Sequence, residues 1–380
     1  MLCQIVFWTS VALLAYTFLG YQLLISLFAR VHRRTALAAP SPQERVAVII
    51  VAHNEEALIR ARIENLRATA LPLDIAVCSD GSTDATVFQA RLAGARVFDF
   101  PARRGKAACL SDAIPALEAQ IVVLTDSRQQ FTPDTIPRLV RHFADPTIGA
   151  VSGILRMGGA RTSAGAGMDL YWKMETSVRQ SESDFDSCVG CTGAVYAIRR
   201  LLFRPVPADS ILDDVVIPML IAVSGHRVIY ENQAEAFDPQ PLDPRAETRR
   251  KARTLAGNFQ MLFRYPAWLL PWKNRLAWQL LSHKYLRLTG PPLLLCALAS
   301  SICLVRVPFY RGCLFIQGLL YLLALAGLAA PSLRFRLFSV PAGFLFLNVM
   351  TLRGAFHFLF GPAGGAWDSA ADHAGNQEPG

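Results

Sequence analysis

Charge is scarce in this chain. Only 18% of its 380 residues are Asp, Glu, Lys or Arg, against 52% hydrophobic. That balance is too apolar for an ordinary soluble domain of this length and points to lipid as the sink for the excess. The shortage is local: no charged residue falls between Leu2 and Ala29, Thr289 and Val305, or Gly312 and Ser332. Runs of this kind match a hydrocarbon core of roughly 30 Å at about 1.5 Å rise per residue. Membrane spans are therefore expected over residues 1–30, Leu286 to Val305, Phe309 to Ala330 and Phe338 to Phe360.

Other absences narrow the reading further. No basic segment precedes the first apolar run, which excludes a cleaved signal peptide despite the small residues Ala36-Leu37-Ala38. Cys188 and Cys191 form a CxxC without a second ligand pair at similar spacing, which excludes a structural zinc site; Cys296, Cys303 and Cys313 are small apolar-region residues. The net charge of +9 comes with neither zinc-finger spacing nor a basic sheet interleaved with aromatics, so nucleic acid is excluded as a partner. Within the last span Arg353 and His357 are ionisable, too few for a transport path; they face protein or reach for the interface.

Arg30, His32, Arg33 and Arg34 follow the first span and place that end in the cytoplasm. After Pro40-Ser41-Pro42 the pattern changes: Val46 to Val51 is an apolar, β-branched run suited to a strand buried on both faces. Leu58, Ile59, Ile63 and Leu66 then recur at helical spacing, with Arg60, Arg62, Glu64 and Arg67 assigned to the opposite face. The alternation continues with strands Ile75 to Cys78, Arg96 to Phe100 and Ile121 to Thr125. Between and after them come helices Asp84 to Leu92, Lys106 to Leu117 and Pro133 to Phe143. Such alternation predicts an α/β fold with a mostly parallel sheet, whose ligands bind at the C-terminal strand ends. Beyond Gly153 the pattern is less regular: a helix over Met168 to Ser181, a short strand over Gly193 to Ile198 and a helix over Asp213 to Val223. Arg245, Arg249, Arg250, Lys251 and Arg253 open a basic and aromatic stretch reaching Leu286, which suits interfacial amphipathic helices near anionic head groups or a pyrophosphate.

Polar clusters stand just past the strands: His53-Asn54-Glu55-Glu56, Asp80-Gly81-Ser82-Thr83-Asp84 and Asp126-Ser127. With Asp213, Asp214 and Lys106 they supply carboxylates and one cation to a common edge. Carboxylates that meet a phosphorylated ligand need a divalent cation between them, and Mg²⁺ or Mn²⁺ takes such oxygens together with phosphates. Lys106 is suited to a pyrophosphate as a point charge.

The stretches Val48-Ile-Ile-Val-Ala-His-Asn-Glu-Glu56, Ser79-Asp-Gly-Ser-Thr-Asp84, Arg104-Gly-Lys106, Leu124-Thr-Asp126, Val151-Ser-Gly153, Thr192-Gly-Ala194 with Arg199-Arg200, and Leu212-Asp-Asp214 occur in one order over about Arg45 to Asp238. Each is weak alone, but their order is specific. In them the chain resembles the family 2 inverting glycosyltransferases of GT-A fold, in the membrane-embedded branch that includes synthases of bacterial polysaccharides and glycolipids. The resemblance implies a hexosyltransferase that moves a sugar from a nucleotide-sugar, a UDP-sugar first, to a membrane lipid or lipid-linked saccharide. It also implies a bacterial inner-membrane protein with its catalytic domain in the cytoplasm. By it His53, Glu55 and Asp80 hold the nucleoside, Lys106 the pyrophosphate and Asp126 the metal. Asp214 is the general base, with Asp213 beside it. Gly193, Gln260 and Arg264 are acceptor-side or pyrophosphate candidates.

Three departures stand out. Asp126-Ser127-Arg128 lacks the second acid of the family's Asp-x-Asp, Asp213 replaces a glutamate, and Gln260-Met-Leu-Phe-Arg264-Tyr265 differs from the Gln-x-x-Arg-Trp of processive synthases. A processive synthase, or a non-catalytic membrane scaffold that keeps the fold, is the alternative. The expected organisation is a membrane helix over 1–30, a linker over 31–44, the catalytic domain over 45–244, interfacial helices over 245–286, three membrane helices over 287–361 and a polar tail over 362–380.

Overall fold

The structure is a computed structural model and describes residues 1–35, 44–157, 163–239, 244–330 and 335–361. The Pro40-Ser41-Pro42 linker, Arg334 and the polar tail over 362–380 lie outside the described residues, as does the side chain of Arg245. A first helix, α1 (Leu2–Val31), leads to strand β1 (Val46–Ala52), α2 (Glu56–Arg67), β2 (Leu73–Asp80), α3 (Thr86–Leu92), β3 (Arg96–Phe100), α4 (Lys106–Ala113) and β4 (Ile121–Thr125). There follow β5 (Gln130–Phe131), α5 (Thr135–Val140), β6 (Ile148–Met157), α6 (Ser163–Phe185), β7 (Tyr196–Arg199), α7 (Asp213–Val223) and β8 (Arg227–Asp238).

One sheet of eight strands runs β3-β2-β1-β4-β7-β6-β8-β5. Its first four strands are parallel, as expected. Beyond β4 the sheet is mixed: β7 runs antiparallel to both β4 and β6, β6 and β8 are parallel, and β5 closes the edge antiparallel to β8. Every residue of β1 is buried, and its side chains alternate: Ala47, Ile49 and Val51 enter one core, Val46, Val48 and Ile50 the other. Each fully buried branched side chain contributes about 1.5–3 kcal/mol, so the sheet is fixed in the layer between its helices. The sheet thus brings the loops after β1, β2 and β4 to one edge.

The chain continues as α8 (Pro244–Arg264), α9 (Ala277–Leu288), α10 (Gly290–Cys303), α11 (Pro308–Ala329) and α12 (Arg336–Phe360). Among the described residues three helices, α1, α11 and α12, are long and apolar enough to cross a membrane. The expected span over Leu286 to Val305 is shorter than the sequence suggests. Pro291 and Pro292 disfavour helix just before them and break it there, leaving α10 with 14 residues, roughly 21 Å at the helical rise. It completes a fourth crossing only together with α9, from which it is bent by 59°.

Helix α8, in the stretch expected to be interfacial, is packed on both sides. Leu255, Phe259 and Leu262 of α8 lie against the core of the sheet domain. Phe259 and Phe263 stack on Phe358 of α12, and Gly354 lets α12 approach the α8 backbone at Ala252 and Ala256. Arg353, beside that glycine, is exposed. Trp278 of α9 donates to the hydroxyl of Tyr16 on α1 at 2.9 Å. The sheet domain and the long apolar helices are therefore joined by packing, not only by chain connections.

Candidate functional site

The loop after β2 turns at Gly81, whose backbone is in the left-handed region (φ 68°) and passes beneath Arg103; a Cβ there would stand 2.5 Å from the Arg103 nitrogen. Only glycine meets both demands. The close approach lets Asp80, fully buried, accept from the backbone N–H of Arg104 at 2.6 Å and of Gly105 at 2.9 Å. Both carboxylate oxygens are used there, so Asp80 clamps the loop that leads to Lys106. His53 bonds through Nδ1 to the Asp80 carbonyl at 2.8 Å, and Asn54, itself at positive φ, receives the Thr83 N–H at 2.8 Å. Glu55 is buried, its N–H donating to Thr86 Oγ1 at 2.7 Å.

Lys106 begins α4 at the end of the clamped loop. Its ammonium donates to Asp126 Oδ1 at 2.7 Å and lies 4.0 Å from Asp213 Oδ2, with 9% of the side chain exposed. Burial opposes its charge, but Asp126 and Asp213 outweigh burial and hold it above its ordinary range. Asp126 follows β4 directly and is held from below by Arg62, which donates to the Asp126 carbonyl at 3.3 Å and to Thr125 Oγ1 at 2.8 Å. Asp213 and Asp214 form the first turn of α7. Burial raises both, and in Asp214 burial and then the neighbouring Asp213 bring the carboxyl to about 6. Asp213 Oδ2 and the Tyr196 hydroxyl are buried without hydrogen-bond partners among the described residues.

Gly193 lies against Asp214: a Cβ there would be 2.9 Å from Oδ2. The Cys191 N–H meanwhile bonds the Asp214 carbonyl at 2.8 Å. Lys106, Asp126, Asp213, Asp214 and Gly193 thus meet around one cleft. Gln260 and Arg264 stand on the other side of the preceding loop: Gln260 accepts from the Ile211 N–H and donates to the Asp209 carbonyl, and Arg264 clamps Asp209 with two bonds at 2.9 and 2.5 Å. They brace the loop leading into α7, and another member of the basic strip, Arg253, is the one whose charge acts on Asp213.

Two arginines beside these acids stand otherwise than the sequence suggests. Arg62 was assigned to a polar face, yet Ile59, Arg62, Ile63 and Leu66 are all buried, and their i, i+3, i+4, i+7 spacing is the signal that would have found it. Arg128, in the position of the missing second acid, is turned to Asp238 at 3.0 Å, and Gln129 shares that oxygen at 3.1 Å. Among the described residues no three His, Cys, Asp or Glu side chains could hold a metal ion. The donor set therefore fits an ion shared between Asp126 and a ligand's phosphates, not one caged by protein.

Residues 47–206 match the family model of glycosyl transferase family 2. A curated N-acetylglucosaminyltransferase from Azorhizobium caulinodans is 27% identical over 146 residues, 36% of this chain; the match spans 37% of that protein's length. The solved mannosyltransferase PcManGT from Pyrobaculum calidifontis, in complex with GDP-Man and Mn²⁺, superposes with a TM-score of 0.70 at 23% identity, covering 93% of this chain and 99% of that one. This second likeness is one of fold: a GT-A-like α/β domain.

Proposed function

We infer, from residues 47–206 that match the model of glycosyl transferase family 2, that the protein transfers a sugar with inversion from a nucleotide-sugar, a UDP-sugar first, to a lipid or lipid-linked acceptor at the membrane. The observation that carries this reading is the meeting of Lys106 and Asp126 with the acid pair of α7 at the C-terminal ends of parallel strands. Asp214, raised by burial and by Asp213, is poised to take a proton from an acceptor hydroxyl. The freed oxygen attacks the anomeric carbon from the face opposite the leaving diphosphate. Lys106 neutralises that diphosphate, and the loop clamped by Asp80 carries Lys106 to it. Asp126 would hold a Mg²⁺ or Mn²⁺ ion, which when bound would supply Lewis-acid stabilisation to the leaving diphosphate. The three spans, and the packing of α8 on α12, support an acceptor drawn from the bilayer.

The test is transfer by the full-length protein in lipid nanodiscs from radiolabelled UDP-glucose, UDP-N-acetylglucosamine and GDP-mannose, with Mn²⁺ and lipids extracted from the expression host. Label should appear in the lipid phase. Neither transfer nor binding with any donor would favour the scaffold reading, and label in long polymer the processive one.

A protein with one carboxylate for the metal should bind Mn²⁺ poorly alone and well in the presence of UDP or GDP. Calorimetry with and without nucleotide checks this: tight Mn²⁺ binding to the free protein would contradict a shared ion. Gly193→Ala, whose new methyl pushes the Asp214 carboxylate aside, is expected to lower the turnover rate by about 100-fold, as a displacement near 1 Å can. Nucleotide affinity should hold, and steady-state kinetics beside a nucleotide titration distinguish the two.

A further inference from the structure

Outside the cleft, a dense group of buried side chains lies where α1, α6 and α9 meet. His283 of α9, fully buried, is bonded through both ring nitrogens, Nδ1 to Glu182 and Nε2 to Glu175 of α6, each at 2.9 Å. Tyr21 of α1 donates to the same Glu182 oxygen at 2.5 Å, and Arg287 donates to the second Glu175 oxygen at 2.8 Å. Burying two carboxylates is costly unless they are paired this fully, so the group needs a reason beyond stability.

The reason lies one turn along α6. Arg179, its side chain 14% exposed, donates through Nε to Glu175 at 3.3 Å and through Nη1 to the Thr192 hydroxyl at 3.1 Å. Thr192 is also held by its N–H on Ser152 Oγ at 2.9 Å, and its neighbours on either side touch Asp214: Cys191 through the backbone, Gly193 through its missing side chain. We propose that Arg179 is a positioning residue for Asp214: fixed at one end by Glu175, it holds the Thr192–Gly193 turn whose close packing sets where the Asp214 carboxylate points.

Arg179 is fitted for this because a planar guanidinium grips two partners in fixed directions, which an ammonium does not. Its charge also opposes the burial and the Asp213 charge that raise Asp214. Since Glu175 reaches Tyr21 through His283 and Glu182, the turn is tied to the first membrane helix as well as to the sheet. The inference rests on Asp214 being the base.

The experiment compares Arg179→Met, Arg179→Lys and Thr192→Val, each alone and combined with Asp214→Asn, in full-length protein in nanodiscs. Thr192→Val keeps shape and removes only the hydroxyl that Arg179 grips, so it answers even if Arg179→Met fails to fold. Each single change is expected to lower kcat by about 10-fold to 100-fold, to leave the Kd for UDP or GDP with Mn²⁺ unchanged, and to add nothing further to Asp214→Asn. Losses that multiply with Asp214→Asn would overturn the proposal, as would a Kd that rises in step with the fall in kcat or wild-type kcat in Thr192→Val. Wild-type transfer by Asp214→Asn alone would remove the base assignment and the inference with it, a result distinct from multiplied losses.

Discussion

Replacing Asp214 with asparagine is expected to lower transfer by about 10²–10⁴-fold, the usual worth of a positioned general base, without weakening nucleotide binding. Asparagine keeps the shape of the side chain but cannot accept the acceptor's proton. The pH dependence gives a second reading. Because burial and Asp213 raise the Asp214 carboxyl to about 6, the base is protonated and idle below that value and free above it. The wild-type kcat should therefore climb as pH rises through about 6 and level off beyond. The asparagine variant should lack that limb. If its residual rate climbed in the same way, the titrating group would be another one and the assignment would fall.

How much of this site could be read from the chain depends on how local its causes are. The parallel half of the sheet was legible because buried parallel strands are continuous apolar runs, as Val46–Ala52 is, and each is punctuated by a polar loop. The mixed half was legible only at β7, expected over Gly193 to Ile198 and found at Tyr196–Arg199. β6 shifts register between Ser152 and Ile154, next to a glycine whose Cβ would collide with the Ala234 carbonyl, and no simple alternation survives such an irregularity. β8 stayed hidden because Glu231 and Arg227, polar in sequence, are buried by partners that are distant in the chain.

The site shows the same division. Lys106, Asp126, Asp213 and Asp214 could be anticipated because each opens a helix or directly follows a strand that the periodicity marks. The clamp role of Asp80 depends on the close passage of Gly81 under Arg103, a tertiary event. The bracing of Arg179 depends on a histidine 108 residues away from Glu175, which no spacing rule connects. The prolines at 291 and 292 were written in the sequence, but their consequence, two short helices bent by 59°, follows only from where α9 packs.

Lys106→Met should produce the other large effect, and for a reason distinct from the loss of a base. In the wild type a single buried ammonium lies between Asp126 and Asp213 and acts on Asp214 beyond them. Removing it leaves three acids facing one another where an anionic diphosphate must also enter. Turnover is expected to fall by about 10²–10³-fold, the order lost when one group that stabilises developing negative charge is deleted, and nucleotide affinity should fall with it, unlike in Asp214→Asn. Stability should respond as well. Without the cation, Asp213 and Asp214, already raised by burial, rise further. An acid whose folded pKa lies above its unfolded value keeps its stabilising contribution below the unfolded value and loses it as pH climbs through the folded one. The variant's Tm should thus approach that of the wild type near about pH 4 and fall short of it by a growing margin toward about pH 8. Thermal unfolding across that range decides the point: a deficit constant with pH would mean that Lys106 serves packing alone, and an unchanged nucleotide Kd would mean that the diphosphate lies elsewhere.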